Sequence, residues 1–222
     1  MWIADSNLRR VNEAAIYAQT DCAVGAKVGH LANSLKFVHR TEYKCAVVMA
    51  GLNNIVQETP CNDSWINQTQ QEVNKLKTNM AKFNKSVIVG VPPAPWTEVD
   101  NNTKKMRDTI NKQLAKVAGE IKATFVPLDQ QEDEEEENWE DSRHMSDKYT
   151  AVVVGKVADA VEKMTGENLL VRNTPLTVQR KHSKVRNTCR LGCVVCTQIG
   201  HGSCAKTKRK TCSGSETPNG KK

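Results

Sequence analysis

The chain has 222 residues, 38% hydrophobic and only 5% aromatic, enough for one aliphatic core of ordinary domain size plus an appendage. No run approaches the ~20 apolar residues of a membrane span, and Met1-Trp2-Ile3-Ala4-Asp5 has no basic stretch leading into an apolar one, so the chain is expected inside the cell, in cytoplasm or nucleus. The formal net charge of +7 is uneven: residues 166–222 carry 12 Lys and Arg against 2 Asp and Glu, which leaves residues 1–165 at −3.

Trp2-Ile3-Ala4 is a short apolar run closed by Asp5-Ser6-Asn7. Leu8, Val11, Ala15 and Ala18 then recur at helical spacing and predict a helix over 8–18. Cys22-Ala23-Val24 is a second apolar run, stopped by Gly25, and 30–38 reads as a helix with Leu31, Leu35 and Val38 on one face. Cys45 to Ala50 is the clearest buried strand, broken by Gly51, and 64–83 is a long polar helix with a stripe of Ile66, Val73, Leu76 and Met80. Val87 to Val91 is a strand closed by Pro92-Pro93; 103–121 is a helix faced by Met106, Ile110, Leu114 and Val117; Thr124 to Leu128 is a fifth strand and 147–164 a last helix. Five apolar strands separated by helices predict an α/β fold, a parallel sheet covered on both faces.

In such sheets reactive groups gather beyond the carboxyl ends of the strands. Taken singly, the residues there have ordinary explanations. Asp5, Ser6 and Asn7 are good helix caps, Gly25 and Asn53 are turn residues, and Asp141-Ser142-Arg143-His144 is a loop. Together they make a chemical set. A serine at a helix start has a free backbone N–H beneath it, which suits a nucleophile whose acyl intermediate develops an oxyanion. Gly25 on a neighbouring strand end adds a second N–H, the Asn53 side chain a third donor, His144 a general base, and Asp141 a group to orient it.

The same blocks resemble those of the SGNH (GDSL-type) hydrolases over roughly residues 1–165. The family's Gly-Asp-Ser is matched by Ala4-Asp5-Ser6, its glycine block by Gly25 with Leu31 and Leu35, its Gly-x-Asn-Asp by Gly51-Leu52-Asn53-Asn54, and its Asp-x-x-His by Asp141 to His144. The resemblance implies a three-layer α/β/α, flavodoxin-like fold with a five-stranded parallel sheet. It also implies a serine carboxylic ester hydrolase that needs no cofactor for hydrolysis: Ser6 as nucleophile, His144 as base, Asp141 as orienting acid, with the N–H groups of Ser6 and Gly25 and the Asn53 amide as oxyanion donors. Gly29 is the rival of Gly25. Ala4 and Asn54 depart from the family pattern, which puts the tight turn after the first strand and a structural acid in question.

Glu132 to Glu137 form an acidic run just before Asp141, read either as a solvated loop or as a negative rim on the site that would disfavour anionic substrates. Beyond residue 165 the chain changes character: 166–188 is a basic linker and 189–222 a basic Cys/His-rich tail. Cys193-x-x-Cys196 with His201 after four further residues is similar to a CCHC zinc knuckle, and either Cys189 or Cys204 would complete a Zn²⁺ site. The charge argues for nucleic acid as partner, and a hydrolase joined to such a tail resembles the first-frame proteins of some non-LTR retrotransposons. Two classes therefore stand against each other: an esterase acting on acyl or acetyl esters, small or lipid-like, with a nucleic-acid-binding tail, and an inactive SGNH scaffold that only binds nucleic acid.

Overall fold

A computed structural model describes residues 1–128 and 138–177. The acidic run Glu132–Glu137, most of the basic segment and the ligand candidates Cys189, Cys193, Cys196, His201 and Cys204 lie outside the described residues. Among the described residues no helix is long and apolar enough to cross a membrane, and no group of three or more His, Cys, Asp or Glu is arranged to hold a metal.

The strands are β1 (Trp2–Ala4), β2 (Thr20–Cys22), β3 (Ala46–Met49), β4 (Ser86–Val89) and β5 (Thr124–Val126), and the helices are α1 (Val28–Ser34), α2 (Asp63–Met80), α3 (Pro95–Glu98), α4 (Asn101–Glu120) and α5 (Asp147–Thr165). All ladders are parallel, in the order β2-β1-β3-β4-β5. The fold is thus the expected three-layer α/β/α arrangement. Alternation along each strand sorts the core. Ile3, Ala46, Val48 and Ile88 face one layer with residues of α1, α2 and α4, while Trp2, Ala4, Val47, Met49, Val87 and Val89 face the other with residues of α5.

The helix starts follow side-chain capping. Asn62 accepts from the Trp65 N–H at 3.0 Å, Asp100 from Asn102 and Thr103 at 2.7 and 2.8 Å, and Ser146 from Tyr149 at 3.1 Å. The chain leaving β3 turns sharply at Gly51 (φ 126°), where a Cβ would stand 2.5 Å from Val91 Cγ2. Only glycine fits there.

One predicted helix is absent. Residues 8–18 form two short 3-10 turns, Ser6–Arg10 and Glu13–Ala15, with Val11 and Ile16 in isolated antiparallel bridges to Thr177 and Leu170. Caps explain the break: Asp5 accepts from the Asn7 N–H and Asn12 from the Ala14 N–H, so each starts a new turn instead of extending one helix. The bridging partners follow α5. Asn12 N–H donates to Leu176 O, Tyr17 N–H to Leu169 O and Val171 N–H to Ala15 O. Residues 166–177, assigned from sequence to a basic linker, therefore pack on the domain, and Leu169 is buried in its core.

Candidate active site

The central strand β1 delivers Asp5 and Ser6 to the carboxyl edge of the sheet. Ala4, which takes the place of the family glycine, is the last residue of β1, fully buried and paired with Met49 and Cys22. It is not among the residues of positive φ, so its Cβ meets no backbone penalty. Asp5 caps the following turn: its Oδ1 accepts from the Asn7 N–H at 3.0 Å and from Asn7 Nδ2 at 3.2 Å. Ser6 is the first residue of that turn.

Ser6, Gly25, Asn53 and His144 line one cleft of about 560 Å³. Gly25 has φ 73°, the left-handed region that glycine enters without cost. No hydrogen bond among the described residues uses the N–H of Ser6 or of Gly25. Gly29, the rival, lies in α1 with its N–H donating to Glu72 Oε2 at 3.0 Å, and it does not line the cleft. Asn53 sits on a 3-10 turn after β3, its Nδ2 donating to Ala26 O at 3.2 Å and to Asp5 Oδ2 at 3.4 Å. Its neighbour Asn54 is tied into the scaffold: its Oδ1 accepts from the Val28 N–H at 2.9 Å and its Nδ2 donates to Glu72 at 2.8 Å. That is a structural task an amide performs without the acid of the family pattern.

The loop before α5 carries the candidate base. It closes on itself through a Trp139–Met145 bridge, with Glu140 N–H donating to His144 O and Ser146 N–H to Asn138 O, each at 2.9 Å. Within it Asp141 Oδ1 accepts the Arg143 and His144 N–H groups at 2.7 and 2.8 Å, while Oδ2 lies 2.7 Å from His144 Nδ1. Burial raises the Asp141 pKa, but the His144 hydrogen bond, the two backbone N–H groups and the imidazole charge outweigh it and bring the carboxyl to about 2. The acid therefore stays ionised and holds the proton of the imidazole on Nδ1, leaving Nε2 for proton transfer.

Two further residues join the serine turn to the histidine loop. Asn7 Oδ1 accepts the Met145 N–H at 3.2 Å, so one side chain braces Asp5 on one side and the base loop on the other. Arg10, at the end of the serine turn, pairs with Glu140 and with Asp147 (2.8 Å), on either side of Asp141 and His144. Sequence reading gave Asn7 only as a helix cap and did not find Arg10, because these partners lie 138 and 137 positions away.

Asp5 itself is fully buried. Burial raises its pKa from 3.8 to about 6, against the opposing Asn7 hydrogen bonds and the charge of His144. Below 3.8 the carboxyl is protonated whether folded or unfolded. As the pH rises from 3.8 to about 6 the unfolded chain loses this proton first, so stability falls, and above about 6 the penalty is constant. The urea midpoint of the protein should drop across that window. Asp5→Asn should flatten the drop, and an equally steep profile in the variant would mean that another group causes it.

Neither a family model nor a curated protein matches the sequence. Solved structures do match the fold. A lipolytic protein of the G-D-S-L family from Veillonella parvula superposes with TM-score 0.56 at 11% identity, over 71% of this chain and 94% of that one. A GDSL-like lipase from Bacteroides thetaiotaomicron gives 0.52 at 16%, over 73% and 87%. An α/β hydrolase enzyme from the metagenome of Lake Arreo gives 0.54 at 12%, over 72% and 92%. The chain has the fold of the GDSL-type hydrolases.

Proposed function

We propose that the protein is a serine esterase that cleaves carboxylic esters through an acyl-serine intermediate. One observation carries this reading: Ser6, Gly25, Asn53 and His144 line a single cleft, with Asp141 at 2.7 Å on His144 Nδ1. In the reaction, His144 Nε2 takes the hydroxyl proton as Ser6 Oγ attacks the ester carbonyl carbon. The carbonyl oxygen becomes an oxyanion between the N–H groups of Ser6 and Gly25. Collapse of this intermediate breaks the bond to the alcohol, which leaves with the proton from His144. Water, deprotonated by His144, then attacks the acyl carbon, and collapse of this second intermediate breaks the bond to Ser6 Oγ, which recovers its proton from His144 as the carboxylic acid leaves. No cofactor is required by these steps. A fluorophosphonate probe should label the protein at Ser6, read by mass spectrometry of the Ser6 peptide; labelling elsewhere, or none in folded protein, removes the reading.

Asn53 would be the third oxyanion donor. Its Nδ2 hydrogens already have acceptors, but the 3.4 Å bond to Asp5 is long and is the one a developing negative charge would displace. Asn53→Ala should lower kcat by roughly 10²–10³ with little change in KM, because the donor acts on charge that appears in the transition state. An unchanged kcat would leave Asn53 a turn residue.

The basic segment extends the proposal. Net charge of +10 over residues 166–222 supports binding of single-stranded nucleic acid through phosphates, with Zn²⁺ held by Cys193, Cys196, His201 and either Cys189 or Cys204 ordering the basic residues around it. With no Trp, Tyr or Phe after Tyr149, stacking contributes little, so affinity should fall steeply with salt. Fluorescence anisotropy of a labelled oligonucleotide, on the full chain and on one ending at Thr177, checks this; equal affinity would remove the tail's role.

A further inference from the structure

We infer that the cleft selects esters carrying an anionic group, a carboxylate or a phosphate, which Arg143 receives from its seat on the Trp96 ring; the inference rests on the esterase reading above and names its substrate class. Arg143 immediately precedes His144 and lines the same cleft as Ser6. Its guanidinium carbon stands 5.1 Å from the centroid of the Trp96 ring, which lines the cleft as well. A guanidinium within cation–π distance of an aromatic ring is drawn to it, and N–H groups that no protein acceptor takes stay available for the oxygens of a ligand.

The surroundings favour a ligand over an internal partner. The other well-placed arginines are neutralised: Arg10 by Glu140 and Asp147, Arg107 by Glu98 and Asp108. Among the described residues no carboxylate comes within ion-pair distance of Arg143, although its own backbone N–H is fixed by Asp141 and Glu58 lines the same cleft. Trp96 is 7% exposed, and its buried indole N–H has no hydrogen-bond partner among the described residues. Its visible interaction at the cleft is the ring face it gives to Arg143. A permanent positive charge is thus set against the Trp96 face, one residue from the candidate base and with no ion-pair partner among the described residues. Apolar side chains such as Val56 line the cleft too, which suits the body of an ester between its reacting carbonyl and its charged end.

Of the two readings of Glu132–Glu137, the negative rim opposes this inference and the solvated loop does not, and the test therefore uses the full chain, acidic run included. Binding is read without turnover: in Ser6→Ala protein, benzoate and phenyl phosphate are titrated against intrinsic tryptophan fluorescence, with benzamide as the neutral counterpart. Benzoate or phenyl phosphate should bind and benzamide should bind more weakly, and Arg143→Gln should raise the Kd of the anion by roughly tenfold or more, the scale of a charge-assisted hydrogen bond. The stronger of the two anions identifies the preferred group. Turnover is read as a ratio of kcat/KM, para-acetoxybenzoate over para-acetoxybenzamide for charge on the alcohol side, and the para-nitrophenyl monoester of adipate over para-nitrophenyl hexanoate for charge on the acyl side. In the wild type at least one ratio should be about ten or more, and it should approach one in Arg143→Gln, with Arg143→Lys between. Ratios of one or less in both wild-type pairs, or a preference that survives Arg143→Gln, would overturn the inference. Arg143-dependent anion binding without Ser6-dependent hydrolysis of any of the esters would instead sink the esterase reading and leave the anion site standing. Absence of anion binding together with absence of hydrolysis overturns both.

Discussion

Ser6→Ala protein should hydrolyse short-chain para-nitrophenyl esters slower than the wild type by roughly 10⁴–10⁶ in kcat, with its circular dichroism and urea midpoint nearly unchanged. The size follows from the chemistry: without Oγ no acyl-enzyme forms, and only the oxyanion donors and substrate binding are left to assist attack by water. The small effect on folding follows from the place. Ser6 occupies the first position of a 3-10 turn that is started by the Asp5 carboxylate and braced by Asn7, and alanine suits that backbone equally well. Retention of most activity in a folded Ser6→Ala protein would refute the nucleophile assignment, whatever the cleft does.

Asp141→Asn should cost about 10⁴ in kcat. The asparagine Oδ1 can still accept the Arg143 and His144 N–H groups, so the loop keeps its shape. The amide nitrogen, however, then faces His144 Nδ1 where Asp141 Oδ2 now lies at 2.7 Å. A donor there draws the imidazole proton to Nε2, the nitrogen that must accept the serine proton. The variant should also be less stable than the wild type at neutral pH, by a margin that closes in acid. With its native pKa of about 2 against 3.8, Asp141 contributes stability above 3.8 that is lost as the pH falls through about 2. A kcat within tenfold of wild type would show that Asp141 only shapes the loop.

How far the sequence reaches depends on the range of the interactions. β1, β3, β4 and β5 are visible as apolar runs because a parallel sheet buried on both faces leaves little room for polar alternation, whereas the apolar run assigned to β2 overlaps it only at Cys22. Their ends are not visible, because partners elsewhere stop the ladders. After β4 the N–H and C=O of Val91 are taken by the Asn111 side chain at 2.7 and 3.1 Å, so the run through Val91 outlasts the strand. β2 begins earlier than its apolar run, with Thr20 and Asp21 both buried although polar. The segment after Ser6 misleads for a different reason. A spacing of three, from Leu8 to Val11, fits a 3-10 turn as well as an α-helix, and what decides is pairing with residues beyond α5. At the site, residues that act within a short motif, such as Asp141 with His144, can be read locally. Arg10 and Trp96 work across the fold and leave no local trace, and of the two tasks of Asn7 only the local one beside Asp5 is legible.

The strap formed by residues 169–176 has a consequence for the order of assembly. Part of the segment behind the serine turn takes its backbone partners there: Asn12 waits for Leu176, Tyr17 for Leu169, and Ala15 for Val171. In synthesis the first of these segments is separated from the second by β2 to β5 and by all five helices. The turn that follows Ser6 is therefore completed only after α5 has been made, through contacts of the long sequence separation that slows folding.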